Sequence, residues 1–215
     1  MTFGLKTGII FKDGVTKVIA NSFYMSEDSK DNSKRQPDEI KLIKQSQKGN
    51  AEAFAVLYDR HLKPIYRFIL LKVNHRQEAE DICQRVFLKA WQHISGFIPK
   101  QPFSSWLYRI ARNAVIDYWR TKKVVLTLSN PSLKESLKTE FALETTLDKE
   151  LQIQKVWQAL RQLNQDQQDV LLMRFVENLS HQEIAKIIGK TEGATKVIQH
   201  RAIKSLKKIL ENEKF

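Results

Sequence analysis

Apolar residues recur at three- and four-residue steps along most of the chain, the signature of helices that bury one side. In residues 38–122 the first such run holds Phe54, Leu57, Tyr58, Leu62, Ile65 and Ile69, with Pro64 inside it predicting a kink or break. A second helix is predicted from about Gln77 to Ile94, with Ala79, Ile82, Cys83, Val86, Phe87, Ala90 and Ile94 as its core stripe. A third runs from about Ser104 to Lys122 on Leu107, Ile110, Ala111, Ala114 and Tyr118. Ser95-Gly96, Pro99 and Pro102 place a loop at 95–103 between them. Residues 148–213 are again helical in pattern, with breaks near Asn164, at Asn178-Leu179 and at Gly189. Only Val124–Leu128 alternates in the manner of a strand. The expected fold class is therefore all-α, two small helical domains (38–122 and 148–215) joined by a flexible linker at 123–147. Residues 1–37 form an N-terminal extension expected to be disordered, in which Met25 is an alternative translation start.

Composition narrows the classes. The 215 residues include one cysteine, Cys83, which excludes an intramolecular disulfide and a Cys-rich metal site and suits a reducing cytoplasm. No apolar run approaches the roughly 18–20 residues of a membrane span, and no secretory leader pattern is present. The net charge is +12, which favours a polyanionic partner. By segment it is +2 over 1–37, +7 over 38–122, 0 over 123–147 and +3 over 148–215, so two basic blocks flank a neutral connector.

The third helix turns Arg109, Arg112, Asn113, Trp119 and Arg120 away from its core stripe, with Tyr108 beside them and Trp106 at the border. Phe97 and Phe103 lie in the preceding loop. Cations hold phosphates and rings stack on unpaired bases, at roughly 1–3 kcal/mol per base. These nine residues are candidates for binding a single strand, although the same rings would equally serve a core. On the second helix, Leu88 and Trp91 fall off the core stripe in line with Asp81 and Gln84. An apolar pair rimmed by polar groups is a candidate protein-binding edge. Glu78, Glu80 and Asp81 diverge around the helix and are read as solvated charge, not a metal site.

Near the C-terminus, Ser180 and Glu183 form a capping box that opens a short helix. Gly189 supplies a tight turn, and Thr191 caps a longer helix reaching about residue 210. Short helix, glycine turn and longer helix make a helix-turn-helix. Ile198, Ala202, Leu206 and Ile209 face inward with Thr195. Lys196, His200 and Glu192 are candidate base readers, and Lys190, Arg201, Lys204 and Lys207 candidate phosphate clamps, with Thr191 at the helix start.

Three runs in order, AEDICQRVFLKAW at 79–91, PFSSWLYRIARNAVIDYWR at 102–120 and LSHQEIAKIIGKTEGATKVIQHRAIKSLKK at 179–208, resemble the extracytoplasmic-function (group IV) sigma factors of the sigma-70 family. The resemblance covers about 38–212. It implies that residues 38–122 are a region 2 domain, which binds core RNA polymerase through the helix of Asp81, Gln84, Leu88 and Trp91 and melts the downstream promoter element with the third helix. The loop 95–103 would take a flipped base. Residues 148–215 would be a region 4 domain reading the upstream element, with the linker in the product RNA's channel. The partners so implied are core polymerase, promoter DNA and an anti-sigma protein, with no cofactor, metal or small-molecule substrate. Thr195 departs from the family, which has an apolar residue there, and looser helix packing is expected.

Two other classes remain open on the residues alone. A helix-turn-helix regulator that never replaces a sigma factor would leave 79–120 unexplained. An enzyme such as a nuclease would need convergent acidic ligands or a Gly-rich phosphate loop, which the sequence lacks.

Overall fold

The computed structural model describes residues 36–99, 101–128 and 155–212, with side chains from 38 and, in the middle segment, to 122. The N-terminal extension up to residue 35 and most of the expected linker lie outside the described residues. Every regular element among them is helical.

The first unit contains α1 (Gln36–Gln47), α2 (Ala51–Val73), α3 (Arg76–His93), a 3₁₀ turn at Ile94–Gly96 and α4 (Phe103–Leu128). Asn50 caps α2 by accepting from the Ala53 amide, and Asn74 ends it in the left-handed region at φ 55°. Of the kink or break expected at Pro64, the break does not occur, because α2 runs unbroken from Ala51 to Val73. Leu57 on one side of the proline and Ile65, Phe68 and Ile69 on the other are all buried, and this packing outweighs one missing amide. The Val124–Leu128 segment is likewise helical, as the end of α4. With no glycine or proline before Pro131, a long helix propagates through its β-branched residues.

The second unit contains α5 (residues 155–161), α6 (Gln165–Leu171) ending in a π-helical turn at Leu172–Val176, α7 (His181–Ile188) and α8 (Glu192–Asn212). The breaks fall where expected: Asn164 caps α6 with a full capping box, Asn178 has φ 53°, and Gly189 has φ 70°. Val156, Trp157, Leu160, Val170, Met173, Ile184, Ala202 and Leu206 form its core. Thr195 is fully buried without an orphaned group, because its hydroxyl donates to the Thr191 carbonyl at 3.0 Å. The polar side chain at this inward position is therefore satisfied locally.

The two units do not stand apart. Helix α4 packs on α7, and buried apolar residues form one continuous cluster from Ile43 to Leu206. This contact rotates the inward face of α4 from the one its own pattern predicts. Phe103, Leu107, Tyr108, Ala111 and Val115 are buried, whereas Ile110, Ala114 and Tyr118 are only partly so.

Candidate nucleic-acid interface

The helix-turn-helix is built as its residues dictate. Ser180 accepts from the Glu183 amide at 3.2 Å while the Glu183 carboxylate accepts from the Ser180 amide at 2.8 Å. Gly189 adopts the left-handed conformation that ends α7, and Thr191 accepts from the Ala194 amide at 3.1 Å to begin α8. Helix α8 exposes Glu192, Lys196, His200, Arg201, Lys204 and Lys207 along its outer face. Lys196 pairs with Glu192 at 2.7 Å, and this contact holds the Glu192 carboxyl below its usual range. Lys207 lies 3.9 Å from Glu211. Gly193, in the first turn of α8, has open space where a side chain would project. Gln199 is buried and contacts the His181 ring, which ties α8 to the start of α7.

On α4 the candidates separate into three environments. Arg120 and Asn113 are exposed, and Trp119 is half-buried with its ring 5.2 Å from Tyr118 and Lys122 above both rings. Trp106 is half-buried against Phe97 and Phe103. Phe97, Phe103 and Tyr108 correct the sequence reading, for they are core residues with no face free for a base. Phe97 and Phe103 meet edge-on at 5.5 Å beneath the 95–103 loop. Tyr108 meets Phe68 edge-on, and its hydroxyl lies against Glu177. Burial, reinforced by that carboxylate, pushes the Tyr108 hydroxyl well above its ordinary pKa. Ring count along a helix cannot separate a stacking platform from a core when a second domain covers the helix.

Arg109 and Arg112 are both engaged by the second unit. Arg109 donates to the Lys186 carbonyl at 2.7 Å. Arg112 donates to Asp169 at 2.6 Å and to Asp166 at 2.8 Å, and Lys190 reaches Asp166 at 3.2 Å. Two further cations, Arg67 and Lys72 of α2, complete this set against Glu177 and Asp169, and the sequence reading missed them. A signal was present: Lys72 lies inside the run FILLKV, and Asp169 opens DVLLM. A single charge embedded in apolar residues calls for a buried partner.

The candidate protein-binding edge stays accessible. Asp81, Gln84 and Leu88 are exposed on α3, Leu88 at 58%, while Trp91 packs partly on Phe54 with centroids 5.0 Å apart. Cys83 is buried beneath them, and desolvation pushes its thiol up to about 11. Among the described residues no group of acidic, His or Cys side chains could hold a metal ion, and no helix is long and apolar enough to cross a membrane.

A basic helix-turn-helix joined in one chain to a second basic, aromatic-bearing helical unit defines a two-domain DNA-binding transcription factor. Residues 57–124 match Sigma-70 region 2, and residues 159–208 match Sigma-70, region 4. The chain belongs to the sigma-70 family, as an extracytoplasmic-function RNA polymerase sigma factor that serves transcription initiation. It is 33% identical to the ECF RNA polymerase sigma factor BldN of Streptomyces coelicolor, over 81% of this chain and 66% of that protein. It is 32% identical to the ECF RNA polymerase sigma factor SigW of Bacillus subtilis, over 80% of this chain and 96% of that one. The sigma factor RpoE of Bartonella quintana, solved with the anti-sigma factor NepR, superposes with a TM-score of 0.63 at 25% identity, covering 74% of this chain and 96% of that one.

Proposed function

We propose that this sigma factor, a group IV member, acts without covalent chemistry of its own, by binding core polymerase in the cytoplasm and carrying it to two promoter elements. Residues 38–122 act as the region 2 domain. Asp81, Gln84, Leu88 and Trp91 dock on the polymerase, and the observation that supports this edge is the exposure of Leu88 on a helix whose opposite side is core. Arg109, Arg112, Asn113, Trp119 and Arg120 hold the unpaired strand, with Trp106 at the border of the loop. Phe97 and Phe103 support that loop from below instead of stacking on bases.

Residues 148–215 act as the region 4 domain. Lys196, His200 and Glu192 read base edges in the major groove, and Lys190, Arg201, Lys204 and Lys207 hold phosphates around Thr191 and the helix start. One chain joining both surfaces raises the effective concentration of the second contact once the first is made. No cofactor or small-molecule substrate enters this scheme, and an anti-sigma protein is the expected inhibitor.

The single observation that carries this reading is the presence of two cationic helical surfaces in one chain, in the order of regions 2 and 4. Run-off transcription with purified core polymerase tests it. Specific transcripts that require this chain support it. DNA binding without transcripts would leave a helix-turn-helix regulator in its place.

A further inference from the structure

Helix α1 reaches across to the start of the 95–103 loop. Gln47, its last residue, is half-buried, and its side-chain amide nitrogen donates to the Ile94 carbonyl at 3.1 Å and to the Phe97 carbonyl at 2.7 Å. Those carbonyls lie 47 and 50 positions further along the chain. Two acceptors that converge on one point call for two uncharged N–H groups, and a primary amide carries both on one nitrogen. Beyond Gly96 the chain leaves the helical path, so no helical amide reaches the Phe97 carbonyl and Gln47 serves instead. Gln47 is itself held in place. Ser46 beside it is buried and donates to the Leu42 carbonyl at 2.8 Å. Contacts of 2.6 Å between Asp38 and Arg60 and 3.3 Å between Glu39 and His61 fasten α1 to α2. Ile94 and Phe97 belong to the core, yet Ile98, the next residue, is 63% exposed. Helix α1 ends before residue 57, where the match to region 2 begins.

We propose that Gln47 is a positioning residue for strand recognition: it sets the course of the backbone over 94–99 so that Ile98 meets an unpaired base of the downstream element. Gln47 touches no DNA itself. This role rests on the sigma-factor reading for what the loop receives, and it deepens that reading by a residue on another helix. The Phe97 carbonyl belongs to the planar peptide unit that leads into Ile98. The bond from Gln47 therefore fixes the rotation of that plane, which the packing of the Phe97 ring against Phe103 and Trp106 does not. A segment without that bond would have to order itself at each encounter, at an entropic cost that a segment already in place does not carry.

The test uses the full chain reconstituted with core polymerase. The probe is a pool of DNA fragments with both elements randomised, the downstream one within a pre-melted bubble. Gln47→Met keeps the length and bulk of the side chain and removes both donors. With the parent chain, selection should enrich particular bases in both elements. With Gln47→Met, enrichment at one downstream position should fall about tenfold, as when the base-accepting shape drops from most molecules to a tenth of them. The other downstream positions and the upstream element should keep the parent profile. Ile98→Ala should flatten that same position, and adding Gln47→Met to it should cost little more there. If Gln47 only holds the fold together, the variant will lower the melting temperature and weaken every position alike. That outcome, or a profile identical to the parent's, overturns the proposal alone. If Gln47→Met loses helicity, Gln47→Glu, of equal length and without the amide donors, decides by the same profile. A parent chain that enriches neither element overturns the sigma-factor reading and the proposal with it.

Discussion

Lys72 and Asp169 are 97 positions apart and form an ion pair whose side chains are 1% and 0% exposed. Burial lowers the Lys72 pKa, and the Asp169 carboxylate opposes that shift. Arg112 donates to the other Asp169 oxygen and also to Asp166, so the two cations face two carboxylates. Replacing Asp169 alone by Leu leaves Lys72 buried without its counter-ion and should cost the fold about 3–5 kcal/mol. The double variant with Lys72→Met should recover most of that loss. Urea titrations of both variants check it, and equal midpoints for single and double would remove the pair from the account of stability.

Trp119 is half-buried beside Tyr118 and carries few of the core contacts made by Tyr108. Trp119→Ala should therefore spare the fold and impair strand opening more than duplex binding. Permanganate footprints on a supercoiled promoter, set beside gel-shift affinities, separate the two effects. Losing one stacked base corresponds to about 1–3 kcal/mol, or roughly five- to 150-fold in open complex.

On the proposed function, the outer face of α8 divides its work by position. Lys196→Ala and His200→Ala, near the helix start, should change which upstream sequences are preferred. Lys207→Ala, near the end, should weaken binding to all sequences alike and reduce the salt dependence by about one counter-ion. Selection from a randomised upstream element and a salt series on one duplex are the two measurements.

Leu88→Asp should lower affinity for core polymerase at least tenfold with little change in thermal stability, because the side chain is 58% exposed and outside the core. A binding titration with labelled chain and a melting curve test the pair of claims. A large fall in melting temperature would place Leu88 in the core instead.

Cys83 is buried with its thiol raised to about 11. At pH 8 it should react with a thiol reagent at least about 100-fold more slowly than in the urea-unfolded chain. A group raised on folding contributes stability that is present below its unfolded pKa and lost as pH climbs through the folded one. Cys83 and Tyr108 are both raised, so stability should decline from about pH 9 upward. A pH series of urea midpoints checks the sign.

The helices and most of their ends were legible, because caps and periodicity are local. Asn164, Ser180 and Gly189 each terminate or begin an element where the residue type alone placed it. Pro64 does not break its helix, because the buried residues on either side of it outweigh its propensity. The aromatic residues misled. Phe97, Phe103 and Tyr108 share a run with Trp119, and only the packing of α2 and the second unit decides which rings are covered. The contact between Arg112 and Asp169 spans 57 positions, and no local pattern fixes such a pairing. The exposure of the outer face of α8 was readable in advance because none of the described residues covers it.

Gly193 leaves vacant volume in the first turn of α8, and an added methyl there would meet no neighbour within 4 Å. Descendants of this protein can thus acquire a new side chain at the leading edge of that helix with no compensating change elsewhere. The scaffold is evolvable at this spot, and the exposed surface of α8 can change one substitution at a time while the fold stays fixed.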